Sequence, residues 1–428
     1  MFRSTTVLKE GFKNDQYRQR LRDIYVDEAV LEYQKERYIK ALENFEQIYG
    51  EKEVELYSAP GRSEVGGNHT DHQHGKVLAT SLNLDAIAVV AKTENQIITM
   101  KSEGYRALEV DLSDLEPQKS EEGGSKGLIR GVAAGLKQHG YQIGGFQAYV
   151  CSDVLSGSGM SSSAAYEVLV GNILSGLYND MKIDPVLIAQ VSQYAENVYF
   201  GKPCGLMDQM ACSVGGLINI DFADPAAPVV KRVHVDFGAY GYSLCLVDTK
   251  GSHADLTPDY AAVPAEMKSV AAYFGKAVLR EVDEKEFYRE IPKLRAQVGD
   301  RAVLRAIHLF EENKRVDGQV AALEAGDFEQ FKKLIRASGD SSFKYLQNVY
   351  SNHKLQEQGV SLGLAVSEIV LGDRGVCRVH GGGFAGTIQA FVPDDMVKEY
   401  KEALDGVFGE GSCLVLKVRS CGGVKVVE

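Results

Sequence analysis

The chemistry this chain is best equipped for lies between Val154 and Ala165, read as Val-Leu-Ser-Gly-Ser-Gly-Met-Ser-Ser-Ser-Ala-Ala. Gly157 and Gly159 carry no side chain to keep an anion away from the backbone amides. Ser158, Met160, Ser161, Ser162 and Ser163 complete the run, and serine hydroxyls donate to phosphate oxygens or ligate Mg²⁺. No Gly-Lys-Ser/Thr closes it, so it does not follow the P-loop pattern. A serine-capped glycine turn is the competing reading of the same residues. A second group is Arg62 with Asn68, His69, Thr70, Asp71, His72 and His74. Imidazole and carboxylate suit zinc or iron. The same side chains also suit the hydroxyls of a sugar-like molecule, with Arg62 toward a phosphoryl group, and a solvated polar loop is the third reading. A third group holds two acids, Glu196 and Asp208, the latter beside Leu206, Met207 and Met210. An acid with apolar neighbours is either a satisfied structural group or one held for chemistry. The fourth is Gly381-Gly-Gly-Phe-Ala-Gly386, where a backbone turns tightly or approaches something closely.

These groups need elements to hold them. Phe146, Ala148 and Val150 alternate with Gln147 and Tyr149, predicting a strand before the serine run. Ala165, Leu169, Ile173 and Leu177 recur every four residues, predicting a helix after it. Strand, small-residue loop and helix start together favour an anion, because the first helical N–H groups are unpaired. Strands are also predicted at 54–58 and over the apolar run 85–91, with residues 59–75 as a loop between them. Asp184 and Pro185 start a helix as N-cap and first residue, with Leu187, Val191, Tyr194 and Val198 as its buried stripe. Tyr38, Leu42, Phe45 and Tyr49 mark an amphipathic helix, preceded by a charged segment that reads as an arm or an interface element. The second half opens on a strand at 242–247, continues through helical patterns over 260–370, and ends in a strand–glycine–strand unit at 376–392. A change of composition at 223–231 divides the chain into an extension (1–40), a first domain (41–230) and a second (231–428).

The 428 residues are 44% hydrophobic and 25% charged, a globular composition sufficient for two domains. A formal charge of −12 argues against nucleic acid or an anionic membrane as partner. Seven cysteines with no Cys-x-x-Cys pair fit reduced thiols. With no run of transmembrane length, the expectation is a soluble, cytoplasmic protein.

Taken together, the four groups resemble one family, the GHMP small-molecule kinases, in its galactokinase branch. The family's Ala-Pro-Gly-Arg…Gly-Glu-His-Thr-Asp-Tyr sugar loop is matched by Ala59-Pro-Gly-Arg62 and Gly67-Asn-His-Thr-Asp-His72. Its phosphate loop is matched at 157–164, its Cys-Gly-Ile-Met-Asp-Gln at Cys204–Gln209, and its Gly-Gly-Gly-Phe-Gly-Gly at 381–386. Ser252-His253…Tyr260 is similar to a segment whose tyrosine touches the sugar. The resemblance runs in order from about residue 40 nearly to the C-terminus. It implies an α+β fold of two domains, ribosomal-protein-S5-like and then ferredoxin-like. It also implies an ATP- and Mg²⁺-dependent sugar 1-kinase acting on the anomeric hydroxyl of galactose. Asp208 and Arg62 would be catalytic, and Asn68, His69, Thr70, Asp71, Gly205 and Tyr260 would bind the sugar. Residues 157–163 would cradle ATP, and Ser163 and Glu196 would hold the metal. The implied partners are a sugar and ATP, with the chain a monomer or weak homo-oligomer.

The departures from the family lie mainly in the sugar loop. Asn68 replaces a glutamate, His72 a tyrosine, and Ser63-Glu-Val-Gly66 the usual Val-Asn-Leu-Ile, while Ala385 replaces a glycine. They leave a different or N-acetylated sugar, or a non-catalytic sugar and ATP sensor, as alternatives. Ala164 and Ala165, which such sensors can lose, favour an enzyme.

Overall fold

The computed structural model describes residues 2–154, 159–252 and 255–428. The chain opens with a short strand β1 (Arg3–Ser4) and helices α1 (Thr5–Lys13), α2 (Arg18–Tyr25) and α3 (Leu31–Tyr49). A long hairpin follows, β2 (Glu53–Gly66) and β3 (Lys76–Lys92), then β4 (Ile97–Ser102), β5 (Leu108–Asp111), α4 (Ser125–Gln138) and β6 (Phe146–Ser152). Helices α5 (Ser162–Asn179), α6 (Pro185–Tyr194) and α7 (Met207–Val214) lead into β7 (Leu217–Asp221) and β8 (Val229–Val233). The second half contains β9 (Tyr242–Asp248), α8 (Thr257–Tyr273), α9 (Glu284–Val298), α10 (Asp300–Glu324), α11 (Phe328–Ser341), α12 (Gly359–Leu371), β10 (Val376–Val379) and β11 (Thr387–Pro393). It ends with α13 (Val397–Phe408), β12 (Cys413–Leu416) and β13 (Val424–Lys425).

Among the described residues these form two sheets, an α+β arrangement. The larger runs β1-β2-β3-β6-β4-β5, with β7 on β3, β8 on β7 and β13 on β2; the smaller runs β10-β11-β9-β12. Pairing is antiparallel except between β4 and β6. The apolar run in β3 has a simple cause: the large sheet is covered on both faces. Ala86, Ala88 and Val90 face the helices α4–α6, and Ile87, Val89 and Ala91 face α1–α3. The segment expected to be an arm or interface element is therefore a packed layer. In it Phe12, 1% exposed, stacks on Tyr38 with ring centroids 5.1 Å apart. Phe12→Ala is expected to cost about 3–5 kcal/mol of stability, read by urea denaturation.

Three expectations change. Residues 59–66 are strand, not loop: β2 continues to Gly66 through irregularities at Pro60/Arg62 and Glu64/Gly66, because Arg62, Ser63 and Glu64 pair with Ser81, Thr80 and Ala79. The stripe of α6 is Ile188, Ala189, Val191 and Ser192, while Val198 is 45% exposed. Glu196, in helical phase with Ile188, Ala189 and Ser192, faces inward at the start of a π turn over Ala195–Phe200. The chain also returns at its end to the first sheet, through β13 on β2 and a bridge between Leu82 and Val418.

That return brings in a buried ionic cluster. Asp85, fully buried, meets Arg37 Nη1 at 2.6 Å, Arg419 Nη1 at 3.2 Å and the Tyr25 hydroxyl at 2.8 Å, and accepts from Ser58. Burial alone would push its carboxyl up, but the two guanidinium groups outweigh it and hold Asp85 below the ordinary value.

Candidate active site

The irregularity in β2 aims Arg62 across to the first turn of α7. Its guanidinium donates from Nε to Asp208 Oδ1 at 2.7 Å and from Nη2 to Oδ2 at 3.0 Å. This is a bidentate pair, the geometry that best fixes both partners. Nη1 donates to the Gly159 carbonyl, and the Arg62 amide to the Met160 carbonyl at 3.2 Å. Asp208 follows the first residue of α7, where the helix dipole favours a negative charge. Burial pushes its carboxyl up, but Arg62, then the Ser161 hydroxyl, more than reverse this, so Asp208 is held below the ordinary carboxylate value. Its side chain is one-third exposed, so this charge pair is open to a ligand.

The phosphate-loop residues separate into different jobs. Gly157 and Ser158 lie outside the described residues. Gly159 has φ +73°, and a Cβ there would collide with Thr387 Oγ1 at 2.3 Å. Met160 is 1% exposed, its side chain in the core and only its carbonyl turned to Arg62. Ser161, at φ +57°, donates its hydroxyl to Asp208 rather than projecting it toward an anion. Ser162 and Ser163 begin α5, whose start has no side-chain cap. This leaves a helix N-terminus with amides available, beside the Arg62–Asp208 pair.

Ser163 Oγ lies 3.3 Å from Glu196 Oε1. Glu196 is 3% exposed, and Gln209 Nε2 donates to its Oε2 at 2.8 Å. The same Gln209 nitrogen donates to Glu167 Oε2 at 3.2 Å, and Lys202 Nζ reaches Glu196 Oε1 at 3.2 Å. Burial, then the neighbouring Glu196 charge, push the Glu167 carboxyl well up. A hydroxyl and a carboxylate are hard oxygen donors, so this pair fits Mg²⁺. Glu167, Lys202 and Gln209 were not among the expected site residues. Gln209 stood inside a recognised motif, while Glu167, at helical spacing from Ser163, gave no signal of its own.

The sugar-loop residues divide more sharply. Asp71 opens a 3₁₀ turn and accepts the His72 amide at 2.9 Å. Gly205 comes so close that a Cβ on it would lie 1.7 Å from Asp71 Oδ2. Gly205→Ala must therefore displace the Asp71 carboxylate, and is expected to raise the sugar KM by about tenfold or more while leaving the ATP KM within twofold. His69 donates from Nε2 to the Gly382 carbonyl at 2.9 Å; burial, then His72, push its ring down to about 3, so it is neutral. Tyr260, on α8, donates to the Gly383 carbonyl at 2.9 Å and meets the Phe384 ring edge-on. Both therefore brace the glycine loop. Among the described residues no group of three or more His, Cys, Asp or Glu is arranged to hold a metal, so the zinc or iron reading of the histidines gains no support.

Two expected sugar readers face inward. Thr70 is fully buried and spends its hydroxyl on the carbonyls of Gly67 and Lys76. Asn68 is fully buried and saturated. Its Nδ2 donates to Glu64 Oε1 at 3.0 Å and the Gly381 carbonyl at 2.7 Å, and its Oδ1 accepts from Ser342 Oγ at 3.1 Å and Asn348 Nδ2 at 2.8 Å. An amide makes no more bonds than these, so none is left for a substrate hydroxyl. The departures at Ser63, Glu64 and Gly66 are matched from the same side. Glu64 meets Arg378 at 2.5 Å, Ser63 meets His380 at 3.1 Å, and Gln319 on α10 fills the space a side chain at Gly66 would need. Arg378, His380 and Gln319 are buried. The unusual sequence at 63–68 is thus one half of a buried seam between the two sheets, and Asp71, His72, Gly205, Arg62 and Asp208 remain for a ligand.

Known proteins resemble this chain in sequence and fold. Residues 43–92 match the galactokinase galactose-binding signature, and residues 127–216 the N-terminal domain of GHMP kinases. A galactokinase of Streptomyces coelicolor is 29% identical over 376 residues, 86% of this chain and 92% of that protein. One of Actinobacillus pleuropneumoniae is 27% identical over 371 residues, 85% of this chain and 92% of that protein. The crystal structure of Lactococcus lactis galactokinase with galactose superposes with a TM-score of 0.76 at 25% identity, covering 90% of this chain and 98% of that one. A mevalonate kinase, at 15% identity and a TM-score of 0.60 over 85% of this chain and 98% of its own, shares the fold. No helix among the described residues is long and apolar enough to cross a membrane.

Proposed function

The chain belongs to the GHMP kinases, in their galactokinase branch, and from that premise we propose that it transfers the γ-phosphoryl group of ATP to the anomeric hydroxyl of galactose, giving galactose 1-phosphate and ADP. The observation that carries this reading is the bidentate Arg62–Asp208 pair set beside the start of α5 and the Ser163–Glu196 oxygens. Phosphoryl transfer asks a protein for in-line positioning and charge stabilisation more than for covalent chemistry, and these groups supply both.

In this reading Asp208 accepts a hydrogen bond from the anomeric hydroxyl. A carboxylate held below its ordinary pKa is a weak base. Asp208 therefore aims the hydroxyl oxygen and takes its proton as the O–P bond forms. Arg62 holds Asp208 ionised and turns its positive edge to the transferring group. The first amides of α5 receive phosphate oxygens, and Asp71, with Gly205 against it, reads ring hydroxyls. Ser163 and Glu196 would hold Mg²⁺, which neutralises charge on the nucleotide phosphates when bound, and Gln209 fixes the Glu196 carboxylate for that role.

The test is ADP release with ATP, Mg²⁺ and galactose beside glucose, N-acetylgalactosamine and a no-sugar control. Galactose-dependent release is the expected result. Release with N-acetylgalactosamine alone would reassign the substrate, and ATP binding without release under any sugar would make the protein a sensor.

A further inference from the structure

Helix α3 does more than cover the sheet. We infer that it is a clamp on the start of the phosphate loop, with Tyr33 and Arg37 acting through Asp153 as positioning residues for the nucleotide. Asp153 follows β6 and directly precedes Val154, where the loop begins. The Tyr33 hydroxyl donates to Asp153 Oδ1 at 2.9 Å, and Arg37 Nη1 lies 3.1 Å from Oδ2. Arg37 also donates to the carbonyls of Asp85 at 2.8 Å and Cys151 at 3.3 Å, and the Asp153 amide donates to the Asp85 carbonyl at 2.9 Å. The Cys151 carbonyl before Asp153, and the Asp85 carbonyl that receives the Asp153 amide, are thus tied to one guanidinium, itself buried and anchored on Asp85.

The clamp reaches the reacting groups in one further step. Val154 packs against Gly61, where a Cβ would sit 3.1 Å from its Cγ2, and the Met160 carbonyl within the loop accepts the Arg62 amide. Gly61 and Arg62 therefore touch this segment at Val154 and again at Met160, and α3 fixes the residue before the first of these contacts. A layer that served only to cover apolar surface would not need a tyrosine, 54% exposed, placed on the carboxylate at the foot of this loop.

This assignment rests on the kinase reading for the identity of the ligand, and the experiment separates the two. A fluorescent ATP analogue is titrated into the full-length protein and its variants, and KM values for ATP and for galactose are measured in parallel. Asp153→Ala is expected to weaken the analogue by roughly three- to tenfold and to raise the ATP KM equally. The galactose KM and kcat should stay within about twofold. Tyr33→Phe, which removes only an exposed hydroxyl, should show a smaller shift of the same kind. Combined with Asp153→Ala it should add nothing, since both act through one contact. Asp153→Asn, which keeps an acceptor for Tyr33, should recover part of the loss. An unchanged analogue affinity in Asp153→Ala overturns the inference. So does a fall in melting temperature with both KM values rising together, the mark of a merely structural role. Wild-type protein that fails to bind the analogue overturns the kinase reading and this assignment with it.

Discussion

Asp208→Asn is expected to lower kcat by about 10³-fold or more, with the melting temperature within a few degrees of wild type. The asparagine keeps the shape and one acceptor for Arg62, so α7 and β2 stay joined. What it loses is the negative charge that orients the hydroxyl and takes its proton. It also leaves the Arg62 guanidinium, 6% exposed, without a counter-charge, turning a paired cation into a free one beside the nucleotide phosphates. ATP should therefore bind as tightly as to wild type, or more tightly, while turnover collapses. Single-turnover kinetics with bound ATP would read both effects. Turnover within tenfold of wild type would remove Asp208 from the reaction and leave the pair a structural one.

Asn68→Glu, which writes the family's residue back into the loop, is expected to destabilise this protein by about 3–5 kcal/mol rather than improve it. Glu64 Oε1 lies 3.0 Å from the Asn68 nitrogen, so the change sets two carboxylates against each other in a fully buried seam. The Gly381 carbonyl loses its donor as well. Burial already pushes the Glu64 carboxyl up despite its contact with Arg378, and a second acid there would push it further. Thermal melts would show the loss. The paired change Glu64→Asn with Asn68→Glu should regain much of it, because the donor and the acid then change places. An Asn68→Glu protein that melts with wild type would mean that position 68 faces the cleft.

The contrast between these two residues shows where the sequence is readable. Asp208 stood in a motif with its neighbours in order, and the structure places it against Arg62, the other residue the resemblance made catalytic. Asn68 stood in an equally clear motif, yet its partners Asn348, Ser342 and Gly381 lie 274 to 313 residues away. No local pattern reports such partners. The strand–loop–helix around Ser163 and the strand–glycine–strand at 376–392 were legible because period-2 and period-3.6 patterns are local. The inward turn of Glu196 was not, because the apolar letters Leu187, Val191, Tyr194 and Val198 mark a face about one residue away from the one that α6 buries through Ile188, Ala189 and Ser192. The extension's packing was half legible. Its last helix announced an apolar face, but only the two-sided burial of β3 says what that face meets.

The cluster at Asp85 has a consequence for biosynthesis. Asp85 and Arg419 are 334 residues apart. At translation rates of about 5–20 residues per second, the carboxylate waits roughly 17 to 67 s for its second cation. Through that interval the first sheet can pair β2 with β3 and take Arg37 from α3, but it cannot complete its charge balance or receive β13. The nascent first half therefore leaves the ribosome as a nearly finished body held open for its last strand. Its commitment to the native state waits for Arg419 and β13, so slowing the ribosome between β3 and Arg419 should matter less to yield than removing residues 419–425.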